Sequence, residues 1–140
     1  MKQLLALIVR HIASHRLAAG IMILGLTTAQ VTARPVRRIT FPRGATEVKV
    51  AGRLWGQVDV ERFVLRVRPG QHMHISVDSS QLTNPQINVV FPSGESQDRD
   101  MQGTQFDTDS TEGGNYHIDV YEGRKGDPGN GTFVLKVEVK

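Results

Sequence analysis

The sequence predicts an all-β protein, a single antiparallel β-sandwich of about eight short strands that follows an N-terminal export segment. Beyond residue 40, apolar side chains recur with a period of two and not with the 3.6 of a helix. Turns rich in proline and glycine interrupt this alternation about every 8–15 residues. One apolar face per strand, with frequent turns, is typical of two antiparallel sheets that share one core.

The first four strands are predicted in chain order from the alternation. The alternation is weak in Arg38–Phe41 and in Glu47–Leu54, which we still expect to be strands. It is clear in Phe63–Arg68, where three apolar residues alternate with a valine and two arginines. A Pro-Gly turn ends that strand, and His72–Val77 then resumes the alternation with histidine and serine on the polar side.

The last four strands are predicted in the same way. Ile87–Phe91 places three apolar residues on one face and ends at a Pro-Ser-Gly turn. A polar strand is expected at about Met101–Asp107. Apolar and polar residues alternate strongly in Tyr116–Tyr121 and in Thr132–Val139. We therefore expect one face of each of these strands to lie in the core.

Residues 1–33 have the order of parts found in a secretory signal peptide. Three basic residues and no acidic one accompany an apolar run of ten, Leu17–Leu26, and small residues then permit cleavage after Ala33 or Ala29. The alternative is an uncleaved anchor, but ten apolar residues are fewer than the roughly 20 that span a bilayer. We therefore expect a mature domain at 34–140, without stable membrane insertion, in the periplasm or outside a bacterial cell.

The charge and the missing cysteines exclude several classes of function. The leader holds three of the 17 Lys and Arg residues and none of the 14 Asp and Glu residues, which leaves 14 of each sign in the mature part. The net charge of +3 therefore gives no indication of nucleic-acid binding. Without cysteine there is no disulfide, thiol nucleophile or Cys-ligated metal, so the domain depends on its hydrophobic core.

The side chains able to carry chemistry form weak constellations, and we predict no enzyme, no metal site and no cofactor. The serines lack the context of a nucleophile elbow. His72 and His74 share one outward face, and with His117 they could bind zinc if their strands were neighbours. No carboxylate stands at a recognisable ligand spacing, and Asp107 and Asp109 fit a solvated edge strand.

The aromatic residues do not predict a sugar-binding surface. Trp55 is the single tryptophan, and its place near a turn is expected to be in the core. Tyr121 is the tyrosine expected to face outward. One or two exposed rings could stack on a sugar, but no row of such rings is present in the sequence.

Five sequence blocks resemble the periplasmic inhibitors of goose-type (g-type) lysozyme, which are small secreted β-sandwiches similar to bacterial pre-peptidase C-terminal domains. The resemblance covers most of the mature chain. The blocks are FPRG at 41–44, GRLWG at 52–56, ERFVLRVRPGQHMHIS at 61–76, GNYHIDV at 114–120 with an arginine at 124, and FVLKVEVK at 133–140. Related inhibitor families carry Ser-Gly-x-Tyr where this chain has Gly113, Gly114, Asn115 and Tyr116.

This resemblance implies an inhibitor that blocks the substrate cleft of lysozyme with loops at one end of the sandwich. Arg124 is the residue expected to meet the catalytic acid, since a guanidinium pairs bidentately with a carboxylate. The other expected partner-binding residues are Lys125, Gln57, Asp59 and Tyr121. Gly113, Gly114 and Tyr116 are expected to form a structural turn, and the protein to be a monomer or a weak dimer.

A second interpretation stays open beside the inhibitor. Pre-peptidase C-terminal domains in general share the Gly-x-Tyr strand and the Gly-Gln turn, so these residues mark the sandwich more than the inhibitor. The chain would then be a non-catalytic binding module that contacts cell-envelope polymer or another secreted protein.

Overall fold

The structure, a computed structural model, describes residues 34–56, 58–97, 103–123 and 130–140. Every regular element in these ranges is a β-strand, and no helix in them is long and apolar enough to cross a membrane. The predicted leader at 1–33 lies outside the described residues and stays a prediction. In chain order the strands are β1 (Arg37–Ile39), β2 (Glu47–Trp55), β3 (Val60–Val67), β4 (Met73–Asp78), β5 (Pro85–Val90), β6 (Gln105–Thr108), β7 (Gly114–Glu122) and β8 (Asn130–Val139).

The strands form two four-stranded sheets, which confirms the predicted all-β sandwich. One sheet has the order β1-β3-β7-β5 and the other the order β2-β8-β4-β6. The named pairings are antiparallel except that β1 runs parallel to β3, with Arg37 opposite Phe63. The parallel pair arises because β2, between β1 and β3 in the chain, belongs to the other sheet, so the connection is a crossover and not a hairpin.

The core lies between the sheets and is built from the inward-facing residue of each alternating pair. Phe63 of β3 and Phe133 of β8 meet across it with ring centroids 6.2 Å apart in an edge-to-face arrangement. The fully buried aliphatic side chains around them come from both sheets: Leu54, Leu65, Met73, Ile75, Ile87, Val89, Ile118, Val120, Leu135 and Val137. Period-two patterning therefore places the apolar faces as the sequence predicts.

Candidate protein-binding site

One end of the sandwich collects the segments on which the predicted partner-binding residues lie, and we call it the loop end. Here β2, β4 and β7 end, and β3, β5 and β8 begin. The registers fix this arrangement, because Trp55 lies opposite Asn130 in one sheet and Val60 lies opposite Tyr121 in the other. The β2–β3 connection and the residues that flank the β7–β8 connection are thus close together.

Trp55, at the end of β2, is exposed, so its predicted place in the core is wrong. Its residue exposure is 54%, whereas the preceding Leu54 is fully buried. The reason is the strand period: Leu54 faces the core, so the next residue must face outward. The guanidinium of Arg53 lies over the indole, with its Cζ 4.1 Å from the ring centroid. Arginine and tryptophan therefore form one exposed amphipathic unit at the loop end.

A buried carboxylate, that of Glu61 on β3, organises the strands beneath this unit. Glu61 is 7% exposed, and its Oε1 pairs with Arg37 Nη1 at 2.5 Å. Its Oε2 accepts a hydrogen bond from the backbone N–H of Arg53 at 2.8 Å. Arg34 reaches the same oxygen at 3.9 Å and also donates to the Arg53 carbonyl oxygen at 2.7 Å. The network joins β1 and β3 of one sheet to β2 of the other, directly beside the Arg53–Trp55 pair.

Gly52 on β2 leaves the space that Glu61 and the neighbouring core ring occupy. A Cβ at this position would stand 2.6 Å from Glu61 Oε2 and 2.1 Å from Cζ of Phe133. Real Cβ atoms do not approach other atoms so closely, so only glycine fits without displacement of its neighbours. Close approach, not backbone conformation, is what requires glycine here.

Asp59, predicted to bind a partner, is engaged inside the protein. Its Oδ2 accepts a hydrogen bond from the backbone N–H of Trp55 at 2.7 Å and pairs with Arg34 Nη2 at 2.8 Å. These contacts close the β2–β3 turn, in which Gly56 has a positive φ of 86°. Val58 in that turn is 95% exposed. The carboxylate therefore shapes the turn, and the predicted Gln57 lies outside the described residues.

The end of β7 brings Tyr121 and Glu122 to the loop end with different environments. Tyr121 is half-buried opposite Val60, and burial, followed by the nearby Asp119 carboxylate, raises the pKa of its hydroxyl. Glu122 faces inward at 3% exposure, and its Oε1 accepts a hydrogen bond from the Asn84 backbone N–H at 2.7 Å. These contacts hold the last residues of β7 before the connection to β8.

The predicted Arg124 and Lys125 belong to residues 124–129, which lie outside those that the structure describes. The residues on either side of them are placed: Gly123 donates its backbone N–H to the Asn84 carbonyl oxygen at 2.9 Å, and Asn130 pairs with Trp55. Asn130 therefore lies beside the Arg53–Trp55 pair, whereas Gly123 lies beside Asn84.

Gly113, Gly114 and Tyr116 lie at the opposite end of the sandwich, where β7 begins. Gly114 has a positive φ of 141° and its missing Cβ would stand 2.8 Å from Pro92. Tyr116 is buried, and its hydroxyl oxygen accepts a hydrogen bond from the Glu112 backbone N–H at 2.8 Å. These contacts make the segment a structural turn that feeds a core strand, remote from the loop end.

The sequence missed the part of the site that depends on pairing between distant strands. Arg34, Arg37 and Arg53 surround Glu61 because β1 and β2 flank β3 from different sheets. The sequence carried one usable signal: a glutamate on the apolar side of a strand, at Glu61-x-Phe63, indicates a buried acid that needs cationic partners.

The chain matches no protein-family model, and no curated protein matches its sequence. Solved structures match its fold. PliG of Aeromonas hydrophila, a periplasmic inhibitor of g-type lysozyme, aligns with a TM-score of 0.61 and 21% identity over 75% of this chain and 96% of that one. Salmonella Typhimurium PliG, another such inhibitor, aligns with a TM-score of 0.56 and 16% identity over 74% and 96%. In fold, this chain is similar to the g-type lysozyme inhibitors.

A pre-peptidase C-terminal domain shares the same architecture. The domain from the Bacillus anthracis collagenase aligns with a TM-score of 0.51 and 19% identity, over 76% of this chain and 98% of that one. The two resemblances predicted from the sequence blocks are therefore both confirmed at the level of the fold.

Proposed function

We propose that the protein is a non-catalytic inhibitor of lysozyme that acts in the periplasm or outside a bacterial cell, with g-type lysozyme as its target. The fold shared with the PliG inhibitors, over almost their whole length, supports the class of function. The observation that carries the proposal for this chain is the exposed Arg53–Trp55 pair at the loop end. Tryptophan and arginine are among the residues enriched at the hot spots of protein interfaces.

In the proposed mechanism, the loop end covers the substrate cleft of the enzyme. Arg124 pairs with the catalytic carboxylate, and Lys125 adds positive charge beside it. Trp55 packs against the wall of the cleft, with Arg53 held over its ring, while Gln57 and Tyr121 lie at the rim. Asp59 contributes indirectly, since it fixes the turn that carries Gln57. The sandwich holds Arg53, Trp55 and Tyr121 on its strands, so these three residues bind with little ordering cost.

Trp55→Ala and Arg124→Ala are each expected to raise the inhibition constant against g-type lysozyme about 30- to 1,000-fold, which corresponds to about 2–4 kcal/mol of binding free energy. The reason is that an interface anchor contributes both its own contact area and the exclusion of water around it. Lysozyme activity on peptidoglycan, titrated with the full chain and with each variant, gives the constants.

Arg43→Ala is the matched control, because Arg43 is exposed in the β1–β2 connection at the opposite end of the sandwich. It is expected to inhibit as the wild type does. Thermal unfolding of each variant, followed by circular dichroism, separates lost contacts from lost folding. Wild-type inhibition by the folded Trp55→Ala and Arg124→Ala variants would show that the loop end is not the inhibitory surface.

The alternative is a non-inhibitory binding module, and the match to the collagenase pre-peptidase C-terminal domain favours it. This module would bind cell-envelope polymer or a secreted protein without any effect on lysozyme. Co-sedimentation of the chain with purified peptidoglycan, measured with and without Trp55→Ala, distinguishes the two functions. The alternative would be supported if the chain does not inhibit lysozyme and its co-sedimentation with peptidoglycan is lost in Trp55→Ala.

A further inference from the structure

Four side chains share one outward face of the second sheet, away from the Arg53–Trp55 pair: His74 in β4, Asp107 in β6, and the residues just outside these strands, His72 before β4 and Asp109 after β6. The register sets His74 opposite Asp107, and continuation of that register by one pair sets His72 opposite Asp109. Side chains two residues apart on a strand point the same way, so the four groups form a compact square. His117, the third histidine that the sequence suggested as a ligand, lies on β7 in the other sheet.

Donor atoms of three of these residues lie close to the separations of metal ligands. His72 Nε2 is 3.1 Å from Asp107 Oδ1 and 4.0 Å from Asp109 Oδ1. One donor atom from each of these three residues lies within 4.8 Å of the other two. Ligands on a tetrahedral zinc ion at 2.0–2.1 Å are separated from one another by about 3.3 Å. Small side-chain rotations are therefore enough to bring the three atoms to one ion.

His74 completes the arrangement as a positioning residue. Its Nδ1 is 2.9 Å from Asp107 Oδ2, the carboxylate oxygen that does not face His72. An N–H donated there fixes the orientation of Asp107 and leaves Oδ1 for a metal, as outer-shell partners do in known sites.

We propose that His72, Asp107 and Asp109 bind a divalent transition-metal ion, with zinc as the best match, and that His74 orients Asp107. An imidazole ligand favours zinc over calcium and magnesium, which prefer oxygen donors alone. Glu138, opposite His74 on β8, adds a further negative charge near the cation, although it is paired with Lys140. Three protein ligands leave the fourth position of the ion open to water. This proposal replaces the expectation from sequence that the protein has no metal site.

The site would act on the most weakly anchored part of the second sheet. β6 has four residues and lies at the sheet edge, where β4 is its one partner strand among the described residues. A metal ion bound by His72 on the β4 side and by Asp107 and Asp109 on the β6 side would hold these two strands together at the sheet edge. Binding to the folded state alone raises the unfolding temperature in proportion to the logarithm of the metal concentration.

The test is calorimetric titration of the full chain with zinc chloride at neutral pH, together with thermal unfolding with and without zinc. The wild type is expected to bind one equivalent at this site and to unfold at a higher temperature with zinc. His72→Ala and Asp107→Asn should remove that equivalent and the temperature rise, and His74→Ala should weaken binding about 10- to 100-fold. His117→Ala is the matched control and should bind as the wild type does.

Two results would overturn the proposal. One is zinc binding that survives His72→Ala and Asp107→Asn but disappears when His11 and His15 of the leader are replaced. The other is equal loss of affinity in His72→Ala and His117→Ala, which indicates nonspecific binding to surface imidazoles. Asp109→Asn separates a three-ligand site from a histidine pair, since unchanged affinity in that variant would contradict the assigned ligand set.

Discussion

Glu61→Ala is expected to lower the free energy of unfolding by about 3 kcal/mol. The buried carboxylate pairs with Arg37 and accepts the backbone N–H of Arg53, so its removal leaves that N–H without its acceptor and Arg37 without its ion pair. Arg34 keeps Asp59 as its partner, and Arg37 keeps the Ala51 carbonyl oxygen. The expected loss is at the lower end for a broken buried pair, because the side chains of Arg34 and Arg37 are 31% and 45% exposed and can regain water. Urea unfolding followed by tryptophan fluorescence measures it.

Glu47→Ala is the matched control for this prediction. Glu47 lies on β2 as an exposed residue, paired with Lys136 at 3.1 Å, and its loss should cost about 0–1 kcal/mol. Glu61→Gln keeps one acceptor oxygen but loses the charge, so its effect should fall between the wild type and Glu61→Ala. Equal stability of Glu61→Ala and Glu47→Ala would contradict the role given to the buried network.

Gly52→Ala is expected to destabilise the fold by about 3 kcal/mol, at the upper end for an overpacked core. The added methyl group would stand 2.1 Å from Phe133 Cζ and 2.6 Å from Glu61 Oε2. Neither neighbour moves easily, since Phe133 packs edge-to-face on Phe63 and arginines hold Glu61. The change therefore disturbs the core and the ion network together. The difference in urea midpoint between the variant and the wild type measures the effect.

Gly103→Ala is the control for the glycine. A Cβ there meets nothing within 4 Å and the backbone φ is not positive, so the change should stay within about 0.5 kcal/mol. Similar losses in the two variants would indicate a general cost of replacing glycine by alanine in this fold. Wild-type stability of Gly52→Ala would mean that Phe133 and Glu61 can move aside.

Most of the fold could be predicted from the local sequence pattern, because a strand with one buried face needs an apolar residue at every second position. Phe63–Arg68 and Thr132–Val139 are examples, and their inward residues are the ones found in the core. The parallel pairing of β1 with β3 could not be predicted, since the three residues of β1 carry no pattern that identifies the neighbouring strand. Pairing depends on contacts between segments far apart in the sequence.

The site was less predictable for the same reason. The outward position of Trp55 follows from the inward position of Leu54, so a stricter use of the strand period would have placed it correctly. The four-residue square of His72, His74, Asp107 and Asp109 depends on the β4–β6 register, which the sequence does not state. The engagement of Asp59 with Arg34 likewise depends on a residue 25 positions away. Arg124 and Lys125 remain predictions.

The central claim is tested most directly by titration of lysozyme with the purified full chain. Goose-, chicken- and invertebrate-type enzymes are assayed separately on peptidoglycan, with residual activity measured against the molar ratio of the two proteins. The proposal predicts that g-type activity falls almost to zero near an equimolar ratio, while the other two types keep more of theirs. Full activity of all three enzymes in a large molar excess of the folded protein would contradict it.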